Sequence, residues 1–188
     1  MIILTGASAS GKTEIARLLA KKYGIAKAVT HTSRPPRKGE RNGVDYFFVT
    51  KEEFQALKER GGFVETTVYN GNYYGTSKTQ VTDLKCVVVD PNGLRSFIAL
   101  KDPSVVTFYL LATEETRISR MRSRGDRPED IERRIEGDRV DFRPACIAPT
   151  DFTIVTDEET LEGLTDKIFI KYRQKLQERG LGAKGRIE

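Results

Sequence analysis

Ile2, Ile3 and Leu4 form a short unbroken apolar run, and a polar, glycine-bearing stretch separates it from a segment with a different rhythm. From Lys12 to Tyr23 the apolar positions Ile15, Leu18 and Leu19 fall on one face of a helix. After Ala28 to Thr30 comes a basic, proline-bearing stretch from Ser33 to Gly43; the pattern then predicts a strand over 46–49 and a helix over 51–60. Residues 63–69 and 72–74 read as a hairpin around Asn70-Gly71, since both residue types tolerate the backbone of a tight turn. Strand and helix alternate from there, with a strand over 87–90, a helix over 94–100 and a buried strand over 105–111. Thr113 suits the cap of a helix carrying Arg117, Arg120 and Arg124. Gly125 interrupts that helix, and Pro128 suits the first turn of the next, where its missing N–H removes no helical bond. A last strand over 151–155 and a closing helix over 161–176 complete the pattern.

Strands spaced by helices of this length imply an α/β fold, a parallel sheet with helices on both faces. The expected organisation is one domain: a core over 1–30 and 77–179, an inserted β-rich lobe over about 31–76 and a helical segment over about 120–143. A chain of 188 residues is long enough to bury one sizeable core. No internal repeat interrupts it, and the glycine-rich end from Gly180 is expected to fray.

Composition narrows the function classes. Hydrophobic residues at 38% and charged ones at 31% exclude a disordered chain, and no apolar run reaches the ~20 residues that span a bilayer. The start lacks the basic and long apolar stretches of a signal peptide, so a cytoplasmic location without membrane partners is expected. Cys86 and Cys146, without metal-site or redox spacing, read as ordinary thiols. The net charge of +5 raises the question of nucleic acid, but six basic against two acidic residues between Lys171 and Glu188 account for most of it. The nine arginines between Arg117 and Arg143 are matched by nine acids between Glu114 and Asp141, a salt-bridged face and not a duplex-binding stripe. Nucleic-acid partners are not expected, and the sequence sets no oligomeric state.

Gly6-Ala7-Ser8-Ala9-Ser10-Gly11-Lys12-Thr13 fits the pattern G-x-x-x-x-G-K-[ST] in full, between a strand and a helix as that motif requires. Backbone N–H groups at a helix N-terminus can curl around a phosphate, and glycines permit the turn. Lys12 is placed to reach the β and γ phosphates of ATP, and Thr13 to hold Mg²⁺ through its hydroxyl. Asp90, at the expected end of a neighbouring strand, is either a second acid near the metal or a helix cap ahead of Pro91.

A second anion site is suggested by Arg34 and Arg37, three residues apart in a loop stiffened by Pro35 and Pro36, with the Tyr46 hydroxyl further on. Guanidinium forks suit a phosphate dianion. The run from Thr32 to Phe48, Thr-Ser-Arg-Pro-Pro-Arg-Lys-Gly-Glu-Arg-Asn-Gly-Val-Asp-Tyr-Phe-Phe, closely resembles the signature of guanylate kinases, and the resemblance extends through most of the chain. It implies a phosphate-loop fold whose segment over about 120–143 is a short helical lid, and ATP-dependent, Mg²⁺-assisted phosphorylation of GMP, and of dGMP. It also implies Arg34, Arg37, Tyr46 and Tyr74 as ligands of the GMP phosphate, Thr30, Glu65 and Thr76 as readers of guanine, and Arg120, Arg124 and Arg134 on the transferring phosphoryl group. Arg117, Arg122, Arg133 and Arg139 are expected on a solvated helix face, and His31 in a loop beside the acceptor. The chain departs from the family pattern at Ala7 and Ala9, at Val88, where a further acid is usual, and at Thr156, where asparagine is common. Two rivals keep some of these features: a kinase of another phosphorylated acceptor, either a different nucleoside monophosphate or a ribose bisphosphate, the latter not needing Thr30, Glu65 and Thr76 together, and a protein-binding relative, which would typically lack the phosphate loop with Lys12 and Thr13.

Overall fold

The computed structural model describes residues 1–69 and 71–181. Asn70 of the expected hairpin turn, and the expected fraying and basic residues of the tail beyond Leu181, lie outside the described residues. In chain order the elements are β1 (Ile2–Thr5), α1 (Lys12–Tyr23), β2 (Ala26–Lys27), β3 (His31–Thr32), β4 (Phe47–Phe48), α2 (Lys51–Glu59), β5 (Phe63–Tyr69) and β6 (Asn72–Ser77). They continue with β7 (Lys85–Val88), α3 (Pro91–Ala99), β8 (Val106–Leu111), α4 (Glu114–Ser123), α5 (Pro128–Asp141), β9 (Phe152–Val155) and α6 (Leu161–Glu178).

Five strands form a sheet in the order β2-β7-β1-β8-β9, every pairing parallel. Successive side chains of a strand point to opposite faces, so β1 serves two cores. Ile2 and Leu4 pack with Ile15 and Leu19 of α1 and with Leu164, Ile168 and Tyr172 of α6. Met1 and Ile3 pack on the other face with Leu94 and Phe97 of α3. Burial on both sides is why the run reads as continuously apolar. The chain leaves β1 toward β2 and later crosses β1 from β7 to β8, so its loops diverge at the carboxyl ends of these strands, where open α/β sheets bind ligands. At the far edge, Lys171 and Lys175 lie over the ring of Phe152, 4.9 and 5.6 Å from its centroid.

A second, mixed sheet runs β4-β3-β6-β5. Helix α2 begins with a reciprocal cap, the Thr50 hydroxyl accepting from Glu53 N–H (3.1 Å) and the Glu53 carboxylate from Thr50 N–H (2.7 Å). Its buried Phe54 stacks on Phe63 and Tyr73 of the sheet.

Several boundaries differ from the sequence reading. The strand expected over 87–90 runs Lys85–Val88, and α3 starts at Pro91 instead of 94. Asp90 does not end the strand: its carboxylate caps α3, accepting from Gly93 N–H at 2.7 Å. The strand over 46–49 contracts to Phe47–Phe48, and the hairpin's second arm lengthens to Ser77 because it pairs with β5 as far back as Phe63. His31 lies in β3 and not in a loop, with its ring against Phe47 and Phe63.

Candidate active site

The phosphate-type loop leaves the carboxyl end of β1. A Cβ on Gly6 would meet the Leu110 carbonyl of β8 at 2.4 Å, and Gly11 has a φ of 96°, so both positions need glycine. Ala9 takes a φ of 60° without that freedom. Lys12 turns back across the loop, donating to the carbonyls of Gly6 (2.6 Å) and Ala7 (2.7 Å) and more weakly to the Ser10 hydroxyl (3.4 Å). Burial brings its ammonium down from 10.5 to about 8, with Asp138 opposing that fall and Arg117 adding to it.

Between the two sheets lies a cavity of about 690 Å³. Thr13, Arg17, Lys27 and Asp90 line its core side, and Thr30, Tyr46, Glu65, Tyr74 and Thr76 the side of the second sheet. Strand register explains one pairing: Glu65 of β5 stands opposite Thr76 of β6 and accepts from its N–H (2.9 Å) and hydroxyl (2.6 Å). Burial, and secondarily the charge of Asp90, pushes the Glu65 carboxyl above the usual range, while the Thr76 hydrogen bonds work the other way. The Tyr46 and Tyr74 rings meet edge to face at 6.2 Å, and the Arg34 guanidinium sits 5.5 Å from the Tyr46 centroid. Glu40 holds that guanidinium at 2.8 and 3.0 Å.

On the opposite side of the loop, α4 and α5 form a helical hairpin. Arg120 donates to the Ala9 carbonyl (3.2 Å) and to the hydroxyl (3.2 Å) and carbonyl of Thr156. Arg124 and Arg134 both face Asp126, Arg124 in a two-point contact and Arg134 at 3.7 Å.

These features can be set beside known proteins. The family model described as guanylate kinase matches residues 1–171. The chain belongs to the guanylate kinase family. It is 37% identical over 172 residues to the guanylate kinase of Neisseria gonorrhoeae, covering 87% of this chain and 83% of that one. It is 36% identical over 150 residues to the guanylate kinase of Schizosaccharomyces pombe, covering 75% and 74%. Its fold is similar to the crystal structure of guanylate kinase from Anaplasma phagocytophilum, with a TM-score of 0.62, 23% identity and coverage of 97% and 96%.

The sequence pattern of the guanylate kinase family selected residues that the fold brings together unevenly. Thr13, Thr30, Tyr46, Glu65, Tyr74, Thr76 and Asp90 share one cavity, with Arg34 at its rim. Arg37 is exposed and is not part of that wall; its backbone N–H donates to the Glu40 carboxylate at 2.6 Å and its carbonyl accepts from Glu40 N–H at 3.1 Å. Val88 lies in the wall between Val87 and Val89, making that part apolar. Arg117, expected on a solvated face, is instead buried, with its guanidinium bonded to the buried Asp138. Arg122 is exposed, and Arg133 and Arg139 are exposed beside Asp130 and Glu114. Sequence reasoning missed Lys27 and Arg17 in the wall and the carboxylates that hold the arginines. The i,i+2 spacing of Arg124 and Asp126 was an available signal; nothing local marks Asp138 as the partner of Arg117.

Thr13 and Asp90 also bear on Mg²⁺. Their side chains line the same cavity, and only Oδ1 of Asp90 is used by the α3 cap, leaving Oδ2 without a protein donor among the described residues. One hydroxyl and one carboxylate fit Mg²⁺, which keeps several waters and takes substrate phosphates as its other ligands.

Proposed function

We propose that this chain transfers the terminal phosphoryl group of ATP to GMP, and to dGMP, giving ADP and GDP or dGDP. The observation that carries the reading is the shared cavity: the carboxylate of Glu65, held by Thr76, lies in the same space as Thr13 and Asp90 beside the donor loop. Ionised Glu65 accepts from N1–H and the 2-amino group of guanine. Adenine offers an acceptor at N1 and no 2-amino group. Thr30 and Thr76 complete the base site, and Arg34, Arg37, Tyr46 and Tyr74 hold the acceptor phosphate.

An oxygen of that phosphate attacks the terminal phosphorus of ATP, forming one P–O bond as the bond to the β,γ-bridging oxygen breaks and ADP leaves. The attacking oxygen is already ionised near neutral pH, so no general base is required, and His31 has no part in the step. The backbone of residues 6–13 and Lys12 hold the donor phosphates, and Arg120, Arg124 and Arg134 offset charge on the transferring group. Thr13 and Asp90 would hold Mg²⁺, which neutralises donor phosphate charge when bound. The second sheet, about residues 31–76, closes over GMP, and the hairpin within about 120–143 closes over the donor. Arg34 then exchanges Glu40, and Arg124 and Arg134 exchange Asp126, for phosphate oxygens.

The test is ADP release measured with GMP, dGMP, IMP, AMP, CMP and UMP. GMP is expected to have the highest kcat/KM, with IMP intermediate. A higher value for AMP or a pyrimidine nucleotide would overturn the guanine assignment, and no ADP release with any of them the kinase assignment.

A further inference from the structure

Asp138 and Arg117 form a buried ion pair, with side chains only 9% and 8% exposed. The pair does not stand alone. The Asp138 carboxylate also accepts from the Ser8 N–H at 2.9 Å and the Ser8 hydroxyl at 3.2 Å, so one acid on α5 joins α4 to the phosphate loop. Two neighbouring contacts tie the same elements. Arg120 of α4 donates to the Ala9 carbonyl, and Ala9 packs on the small core of Met121, Ile131 and Ile135 that joins α4 to α5.

As a source of stability this arrangement is poor. Taking two charges out of water is costly, and a buried pair recovers that cost only when its remaining polar atoms are satisfied. Arg117 Nε is buried with no hydrogen-bond partner among the described residues. An apolar pair of similar volume would hold α4 to α5 at least as well. What it would not do is grip Ser8. That residue precedes Ala9, the one loop position held at positive φ without glycine. A strained conformation persists only where its surroundings impose it, and here Asp138 fixes the residue before Ala9 while Arg120 fixes the Ala9 carbonyl.

We propose that Asp138, braced by Arg117, is a positioning residue for the donor site, holding the phosphate loop in its ATP-binding shape through Ser8 and coupling that shape to the α4–α5 hairpin. The inference rests on the kinase reading above. It assigns Asp138 no contact with substrate; its effect passes through the loop. Its charge also faces Lys12, whose protonated form it favours while Arg117 opposes it.

The test replaces both charges at once, as Arg117→Leu with Asp138→Ala, so that neither is left buried alone. Melting temperature without ligand, calorimetric Kd for ATP with Mg²⁺ and no acceptor, and KM for GMP are compared with the parent. The expected result is a melting temperature within a few degrees, a Kd for ATP raised about tenfold and a KM for GMP within about twofold. A folded double variant with the parent's ATP affinity overturns the proposal, as does an equal loss for both substrates, which a purely structural role would give. Should the double variant not fold, Ser8→Ala keeps the ion pair and removes one of its contacts. About a threefold weaker Kd for ATP with unchanged KM for GMP then supports the proposal, and parent-like ATP affinity overturns it. A parent protein that binds no ATP fails the kinase reading itself, and the positioning role with it.

Discussion

Lys12 shows how one side chain holds two tasks. Its ammonium donates to the Gly6 and Ala7 carbonyls, which keep it folded over the loop it serves. Its ammonium titrates near 8 instead of 10.5, so the charge is present below that pH and is lost as pH rises through it. kcat/KM for ATP, which reports the free enzyme, is therefore expected to fall on the alkaline side from about pH 8; a profile flat to well above this would contradict the assignment. Glu65 makes a complementary prediction. In Glu65→Gln the amide offers one acceptor where guanine presents two donors, and its own NH₂ faces a donor. A buried donor left unpaired costs ~1–3 kcal/mol, more when a charged partner is lost. kcat/KM for GMP is expected to fall at least ~10²-fold, with a much smaller proportional loss for AMP. Equal losses for the two nucleotides would remove Glu65 from base selection.

Elements decide which residues meet. Thr50 and Glu53 close the N-terminus of α2, the helix whose Phe54 supports β5 and β6 and hence the Glu65–Thr76 pair. Thr50→Ala is expected to lower stability by about 1 kcal/mol, read as a lower urea midpoint with unchanged slope; an unmoved midpoint would mean the cap is dispensable. Helix starts were legible where a cap residue announced them, as at Thr113, whose hydroxyl accepts from Thr116 N–H at 3.2 Å. At α3 the amphipathic rhythm points to Leu94, yet a first turn needs a cap more than an apolar face and tolerates proline, so Asp90 and Pro91 start it earlier. The phosphate loop was fully legible because its chemistry is local in sequence. The Arg117–Asp138 pair was not: twenty-one residues separate the partners, and a buried arginine in a charged helix has the same local signature as a solvated one.

At the scale of the whole molecule, the parallel order of the main sheet followed from the alternation of elements, while the second sheet's mixed order did not. β3 and β4 are each two residues long, too short to show a period. The arginines and tyrosine of the acceptor loop were legible from their chemistry, but the base-site residues only through resemblance, since Glu65 and Thr76 meet through the β5–β6 register and Thr30 joins their cavity from outside both strands. What the molecule adds is that three of the arginines face carboxylates, Arg34 facing Glu40 while Arg124 and Arg134 share Asp126.

The two lysines over Phe152 bear on how this protein behaves in a crowded solution. β9 is the last strand of its sheet among the described residues, and its outer row of backbone N–H and C=O groups has no neighbouring strand among them to pair with. Such an edge, if apolar and uncharged, invites a strand from a second molecule and then a third. Lys171 and Lys175 place two ammonium groups beside it, so docking another chain there would require stripping water from both. Lys171→Met with Lys175→Met leaves the side-chain length and the distant cavity unchanged but removes that guard. Light scattering on heating is expected to rise at a lower temperature and lower protein concentration than for the parent, and identical scattering curves would show that the edge is protected by other means. An earlier rise would make the two lysines over Phe152 gatekeepers against aggregation, a role independent of the chemistry between the sheets.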